Sequence, residues 1–134
     1  MGEPGAETPE LAEARRRGDP YLVYDDGEGR QRVLSMPDTW KRVTIGRGMA
    51  SDVPLSWDAG VSTVHATLER LGDDWVLVDE GLSLNGSFVN DERVEGRRRL
   101  LDADRLRVGA TAIGFHAPFQ VLDATEISSV PTSS

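Results

Sequence analysis

The chain has 134 residues, the size of one ordinary domain, with 15 basic and 23 acidic side chains and a net charge of −8. Without a cysteine it has no disulfide, no thiol nucleophile and no Cys-type zinc site, and with only His65 and His116 as histidines neither a metal nor a cofactor is expected. No apolar run approaches the roughly 18 residues a membrane helix needs, the first ten residues lack the basic and apolar parts of a signal peptide, and the expected location is cytoplasmic.

The acidic balance extends through the body of the chain, which argues against general nucleic-acid binding, where several cations must displace counterions. It leaves room for one local anion site, because specific donors outweigh screened long-range repulsion.

In chain order, residues 1–18 are rich in Glu, Ala, Gly and Pro and read as a flexible acidic tail. Within them, residues 11–17 could wind about two helical turns, without apolar spacing to dock them. From residue 19 the texture becomes β-prone. Residues 21–24 and 32–36, joined by Asp25-Asp-Gly-Glu-Gly29, read as a hairpin. Residues 42–45 alternate and stop at Gly46. Residues 52–55 form a very short strand that Pro54 confines to an edge or a bulge. Residues 65–70 alternate, Gly72-Asp-Asp74 turns, and residues 75–78 make a nearly continuous apolar strand with Trp75 in the core. Residues 88–89, 93–94, 99–101, 105–108 and 112–115 are further short strands, separated by Asn, Asp and Gly. Arg97-Arg-Arg99 reads as solvated edge charge that discourages strand-to-strand association. Many short strands with turn residues between them and no convincing helix predict an all-β sandwich whose loops gather at its two ends. Residues 118–134 read as a flexible linker or tail, as though the chain were part of a longer protein.

Three pieces carry chemistry: Thr44-Ile-Gly-Arg47, Val61-Ser-Thr-Val-His-Ala66 and Leu82-Ser-Leu-Asn-Gly-Ser-Phe-Val-Asn90. They set an arginine, a serine, a threonine and an asparagine at strand-to-loop junctions. A phosphate group carries about −1.5 to −2 charge and three acceptor oxygens. Arg47 offers a planar fork that stays charged, and Ser62 and Thr63 offer hydroxyl and backbone donors. Asn85 can donate to a carbonyl and accept from an N–H, so it can grip an extended chain of any sequence. Ser62 and His65 do not read as a nucleophile and its base. At a strand entrance positions three apart face opposite sides, and nothing supplies a nucleophile elbow or an orienting carboxylate. Asn85-Gly86, taken alone, would read as a type I′ turn.

The order Gly46-Arg47, Ser62-x-x-His65, Asn85-Gly86-Ser87-x-x-Asn90 resembles the forkhead-associated (FHA) domain, a module that binds phosphothreonine peptides, over roughly residues 21–117. The resemblance implies an FHA/SMAD-like β-sandwich of about eleven strands, residues 19–117, with the recognition loops at one end. It implies that Arg47 contacts the phosphate, that Ser62 gives it a hydroxyl with Thr63 alongside, that Asn85 holds the peptide backbone and that His65 braces the loop. Gly46, Gly86 and Asn90 would be structural. Two positions depart from the family's pattern. Thr63 stands where a basic residue is common, and Leu84 where a small polar residue is common, so Leu84 is a candidate selectivity contact.

The implied partner is a phosphothreonine-bearing protein downstream of a Ser/Thr protein kinase, with no enzyme activity in the domain and no contact with nucleic acid or membrane. Thr8 and Thr125, in acidic segments, are candidate phosphorylation sites, and a phosphorylated tail could then be bound by the domain itself. The alternative is a structural or oligomerising sandwich with a degenerate site that binds partners independently of phosphate. The Arg-, Gly-, Ala- and Asp-heavy composition points to a GC-rich bacterial source.

Overall fold

In the computed structural model, which describes residues 9–81 and 83–118, a short helix α1 (Pro9–Arg17) precedes eleven strands. They are β1 (Tyr21–Asp25), β2 (Gln31–Ser35), β3 (Arg42–Gly46), β4 (Val53–Pro54), β5 (Ala66–Leu71), β6 (Asp74–Asp79), β7 (Ser87–Val89), β8 (Glu92–Val94), β9 (Gly96–Arg99), β10 (Arg105–Val108) and β11 (Thr111–His116). They form two facing sheets, one of order β2-β1-β11-β10-β7-β8 and one of order β4-β3-β5-β6-β9. Every pairing is antiparallel except β3 with β4. This is the predicted all-β sandwich, with the eleven strands the resemblance implied.

Alternation builds the core. Along β10, Leu106 and Val108 are fully buried while Arg105 and Arg107 are exposed, because successive side chains point to opposite faces. Leu22, Val43, Ile45, Leu68, Trp75, Leu77, Ile113 and Phe115 close the space between the sheets. Trp75 is buried as predicted, and Pro54 lies on the edge strand β4.

Two elements differ from the sequence reading. The segment expected as a tail is helical from Pro9, with Ala14 fully buried and the helix against β2. Ala14 is its fully buried residue among those described, an exposed Arg16–Glu13 pair of 2.7 Å lies within the helix itself, and one buried alanine leaves no apolar period to read. The strand expected at 99–101 is instead β9, made of the arginine run itself. Arg97, Arg98 and Arg99 do lie on a sheet edge, but they are paired with Glu69, Glu92 and Asp74. Leu100, just past the strand, is the residue that enters the core.

Asn90 and Asp91, at φ 50° and 72°, make the two-residue turn between β7 and β8. Left-handed conformation at both central positions is the type I′ pattern, so that turn sits here and not at Asn85-Gly86. Thr8 and Thr125 lie outside the described residues. Among the described residues no helix is long and apolar enough to cross a membrane.

Candidate functional site

The three motif pieces meet at one end of the sandwich, where β3, β6 and β10 finish and β5, β7 and β11 begin. The pairing of β3 with β5 continues past the last ladder residues. The N–H of His65 donates to Ile45 O at 2.9 Å, that of Arg47 to Ser62 O at 3.0 Å, and that of Gly48 to Thr63 O at 3.3 Å. The Arg47 loop and the Ser62 loop are therefore zipped backbone to backbone. Gly46 permits this: a Cβ there would stand 2.2 Å from Thr63 O, far inside contact distance. The exposed Arg47 side chain has no hydrogen-bond or ion-pair partner among the described residues.

The second seam joins the Ser62 loop to the Asn85 loop. Ser62 Oγ accepts the N–H of Leu84 at 2.9 Å, which leaves its own proton free to donate outward. Asn85 Nδ2 donates to Gly60 O at 2.8 Å, which leaves its carbonyl and its other N–H facing the exposed side. Behind both, His65 is buried at 1% exposure. The N–H of Ser62 donates to His65 Nδ1 at 3.1 Å. An N–H can only donate, so the ring proton sits on Nε2 and is given to Gly86 O at 2.8 Å. His65 thus holds Ser62 by its backbone and does not address the hydroxyl, as the absence of a nucleophile–base pair requires. Gly86 adopts φ +85°, and the Arg93 side chain packs where its Cβ would be.

Two carboxylates that the sequence reading passed over hold the loops from inside. Asp79 accepts the hydroxyls of Ser83 and Ser87 at 2.6 and 2.7 Å and the N–H of Gly81 at 3.1 Å. Asp58 accepts the N–H groups of Gly60 and Ala110 at 2.9 and 2.8 Å and the Thr111 hydroxyl at 2.6 Å. Burial raises the pKa of each; the hydrogen bonds outweigh it and hold both carboxyls below their ordinary value. The signal was present in Asp58-Ala-Gly60 and Asp79-Glu-Gly81, where an aspartate two residues before a glycine is Asx-turn chemistry.

Asn90 lies away from this cluster. It donates to Asp104 at 2.9 Å and accepts the N–H of Arg105 at 3.0 Å, so it ties the β7–β8 turn to β10. Thr63 is exposed beside Ser62, and Leu84 is 85% exposed beside Asn85. With Met49 at 78% and Val64 at 56%, Leu84 leaves an apolar side chain on each of the three loops. The arrangement is an outward arginine, a hydroxyl with a free proton and a backbone-gripping amide, on loops fixed by buried hydrogen bonds. It can bind an anion next to an extended peptide.

Comparison with known proteins agrees. The FHA domain family model matches residues 43–109. An FHA domain solved in work on phosphothreonine-dependent FHA domain interactions is 33% identical, at 72% coverage of this chain, 94% of that one and a TM-score of 0.59. The FhaA FHA domain, complexed with the intracellular domain of Rv3910, is also 33% identical, at 73% and 100% coverage and a TM-score of 0.60. EmbR of Mycobacterium tuberculosis, in complex with a low-affinity phosphopeptide, is 27% identical, at 78% coverage of this chain, 26% of that one and a TM-score of 0.62. No curated protein matches. The strand order, the site at one end of the sandwich and these matches together place the chain in the FHA domain family.

Proposed function

We propose that this domain binds phosphothreonine in a partner protein and so reads the output of a Ser/Thr protein kinase in the cytoplasm. One observation carries the reading most directly. Ser62 Oγ is already satisfied as an acceptor by Leu84 N–H, so its remaining role is as a donor, and it stands on the loop zipped to that of Arg47, whose side chain has no partner among the described residues. A hydroxyl proton and an exposed guanidinium on two loops zipped backbone to backbone suit a doubly charged oxyanion. Asn85 then holds the peptide backbone beside the phosphate. The solved complexes of FhaA with an intracellular domain and of EmbR with a phosphopeptide support the same reading. Phosphorylated Thr8 or Thr125 would offer this ligand from the chain's own ends or from a second copy.

Titration with a phosphothreonine peptide, its phosphoserine analogue and its unphosphorylated parent tests this. Binding is expected for the first, and Arg47→Ala should weaken it by about 2–3 kcal/mol, a loss of roughly 30- to 150-fold, while the melting temperature stays unchanged. Equal binding of the phosphorylated and unphosphorylated peptides would favour a sandwich that docks partners without phosphate. Full affinity in Arg47→Ala would remove Arg47 as the anchor.

A further inference from the structure

Outside the three motifs, three exposed arginines lie together on the outer face of the six-stranded sheet. Arg107, Phe88 and Arg93 lie side by side across β10, β7 and β8. The Arg107 guanidinium stacks 4.2 Å from the Phe88 ring centre and donates to Gly109 O. Arg105 follows two residues earlier on the same face of β10, opposite Gly114. None of the three is paired with a carboxylate among the described residues, whereas the nearby Arg97, Arg98 and Arg99 all are.

This stripe begins at the recognition loops. Arg93 lies across Gly86, the residue after Asn85, and Gly109 packs against Gly60, whose carbonyl Asn85 holds. At its far end Arg105 borders a groove floored by the small residues Ala112 and Gly114. Two carboxylates approach that end. Asp104 is engaged by Asn90 and by the N–H of Leu101, and Asp25 sits on the far rim.

We propose that Arg93, Arg107 and Arg105 form a second contact for an acidic, extended segment of the same polypeptide that carries the phosphothreonine. The proposal rests on the Arg47 site being the phosphate anchor. The charge complementarity is local, since the chain is acidic as a whole, the arginines of β9 are neutralised, and Arg93 shares its pocket with Asp79, Glu80 and Glu95, which leaves Arg107 and Arg105 as the more open cations. The geometry suits an extended segment: Arg105 and Arg107 stand about 7 Å apart along β10, which is the spacing of alternate side chains in an extended chain. Acidic residues at alternate positions of the partner would therefore meet successive guanidiniums. The departure at Thr63 is answered here, because cationic charge absent from the Ser62 loop is supplied on the Asn85 side.

The test compares phosphothreonine peptides with neutral flanks against the same core extended on either side by Glu at alternate positions. Fluorescence anisotropy on the full chain would read both at low and high salt. One acidic extension is expected to tighten binding about tenfold at low salt, and the gain should shrink as salt screens it. In Arg93→Gln/Arg107→Gln the ratio between the peptides should fall to within about twofold, and Arg105→Gln should lower it partway. Melting curves establish that each variant folds, and Arg105→Gln, which gives up no side-chain hydrogen bond or ion pair among the described residues, keeps the test available if the double variant does not. No gain from either extension, or a gain that survives all three substitutions, would overturn the second contact while leaving phosphate binding intact. Failure of every phosphopeptide to bind would overturn the Arg47 reading and this inference with it.

Discussion

His65 is the residue whose loss should be felt in two measurements at once. Its ring accepts the Ser62 N–H at 3.1 Å and donates to Gly86 O at 2.8 Å, so it connects the loop that bears the anion-facing hydroxyl to the loop that bears Asn85. In His65→Ala both partners lose their hydrogen bond, and Gly86 is buried. A buried polar group left unsatisfied costs about 1–3 kcal/mol, and the space vacated by a ring at 1% exposure adds a cavity penalty. Water reaching the half-buried Ser62 offsets part of this, which gives about 2–4 kcal/mol in all. For a domain of this size that corresponds to a melting-temperature drop on the order of 10–25 °C.

Thermal unfolding followed by tryptophan fluorescence reads the stability, with the buried Trp75 as reporter. Phosphopeptide titration of the folded variant reads the second effect, a weakened affinity from the loosened seam. His65→Gln, which keeps one donor and one acceptor, should recover part of both. A melting temperature within about 3 °C of wild type for His65→Ala would refute the bridging role.

Three other substitutions follow from the site's geometry. Gly46→Ala puts a methyl group 2.2 Å from Thr63 O, so the zipped loops must part; a stability loss of at least about 1–3 kcal/mol together with weaker phosphopeptide binding is expected, and a melting curve and a titration like those of wild type would contradict it. Asn85→Ala removes the amide that holds Gly60 O and should weaken peptide binding about tenfold while the fold survives, as titration and a melting curve would show. Asp58 and Asp79 have folded pKa values below their ordinary value, so the unfolded chain takes up protons first as pH falls. Their contribution to stability is complete above the unfolded carboxylate value of about 4 and is lost as pH drops through that value toward the lower folded one. Urea unfolding between pH 7 and 3 should show this decline, and Asp79→Asn should lower stability at pH 7 and flatten the decline; an unchanged acid slope would show that Asp79 does not contribute.

Much of the fold was legible because its signals are local. Alternation in Arg105-Leu-Arg-Val108 and the apolar run of β6 mark strands and their inward faces without reference to the partner strand. The arginine-rich β9 is not legible in this way, since its backbone is held by pairing with β6 and its side chains by carboxylates on Glu69, Glu92 and Asp74, which lie on other strands. The helix over residues 9–17 carries no such signal, because Ala14 is its one fully buried residue among those described.

The candidate site divides in the same way. Which chemistry is available can be read from short segments: an arginine after a glycine, a Ser-x-x-His, an Asn-Gly, each at a strand end. How these groups are held depends on the closed sandwich. Ser62 Oγ meets the N–H of a residue 22 positions away, His65 reaches a carbonyl 21 positions away, and Asp58 clamps a hydroxyl 53 positions away. The arginine stripe beside the Asn85 loop likewise exists only once β10, β7 and β8 are side by side. Residue types and spacing are properties of a short segment, whereas hydrogen-bond satisfaction and charge neutralisation depend on which distant segments the closed sandwich brings into contact.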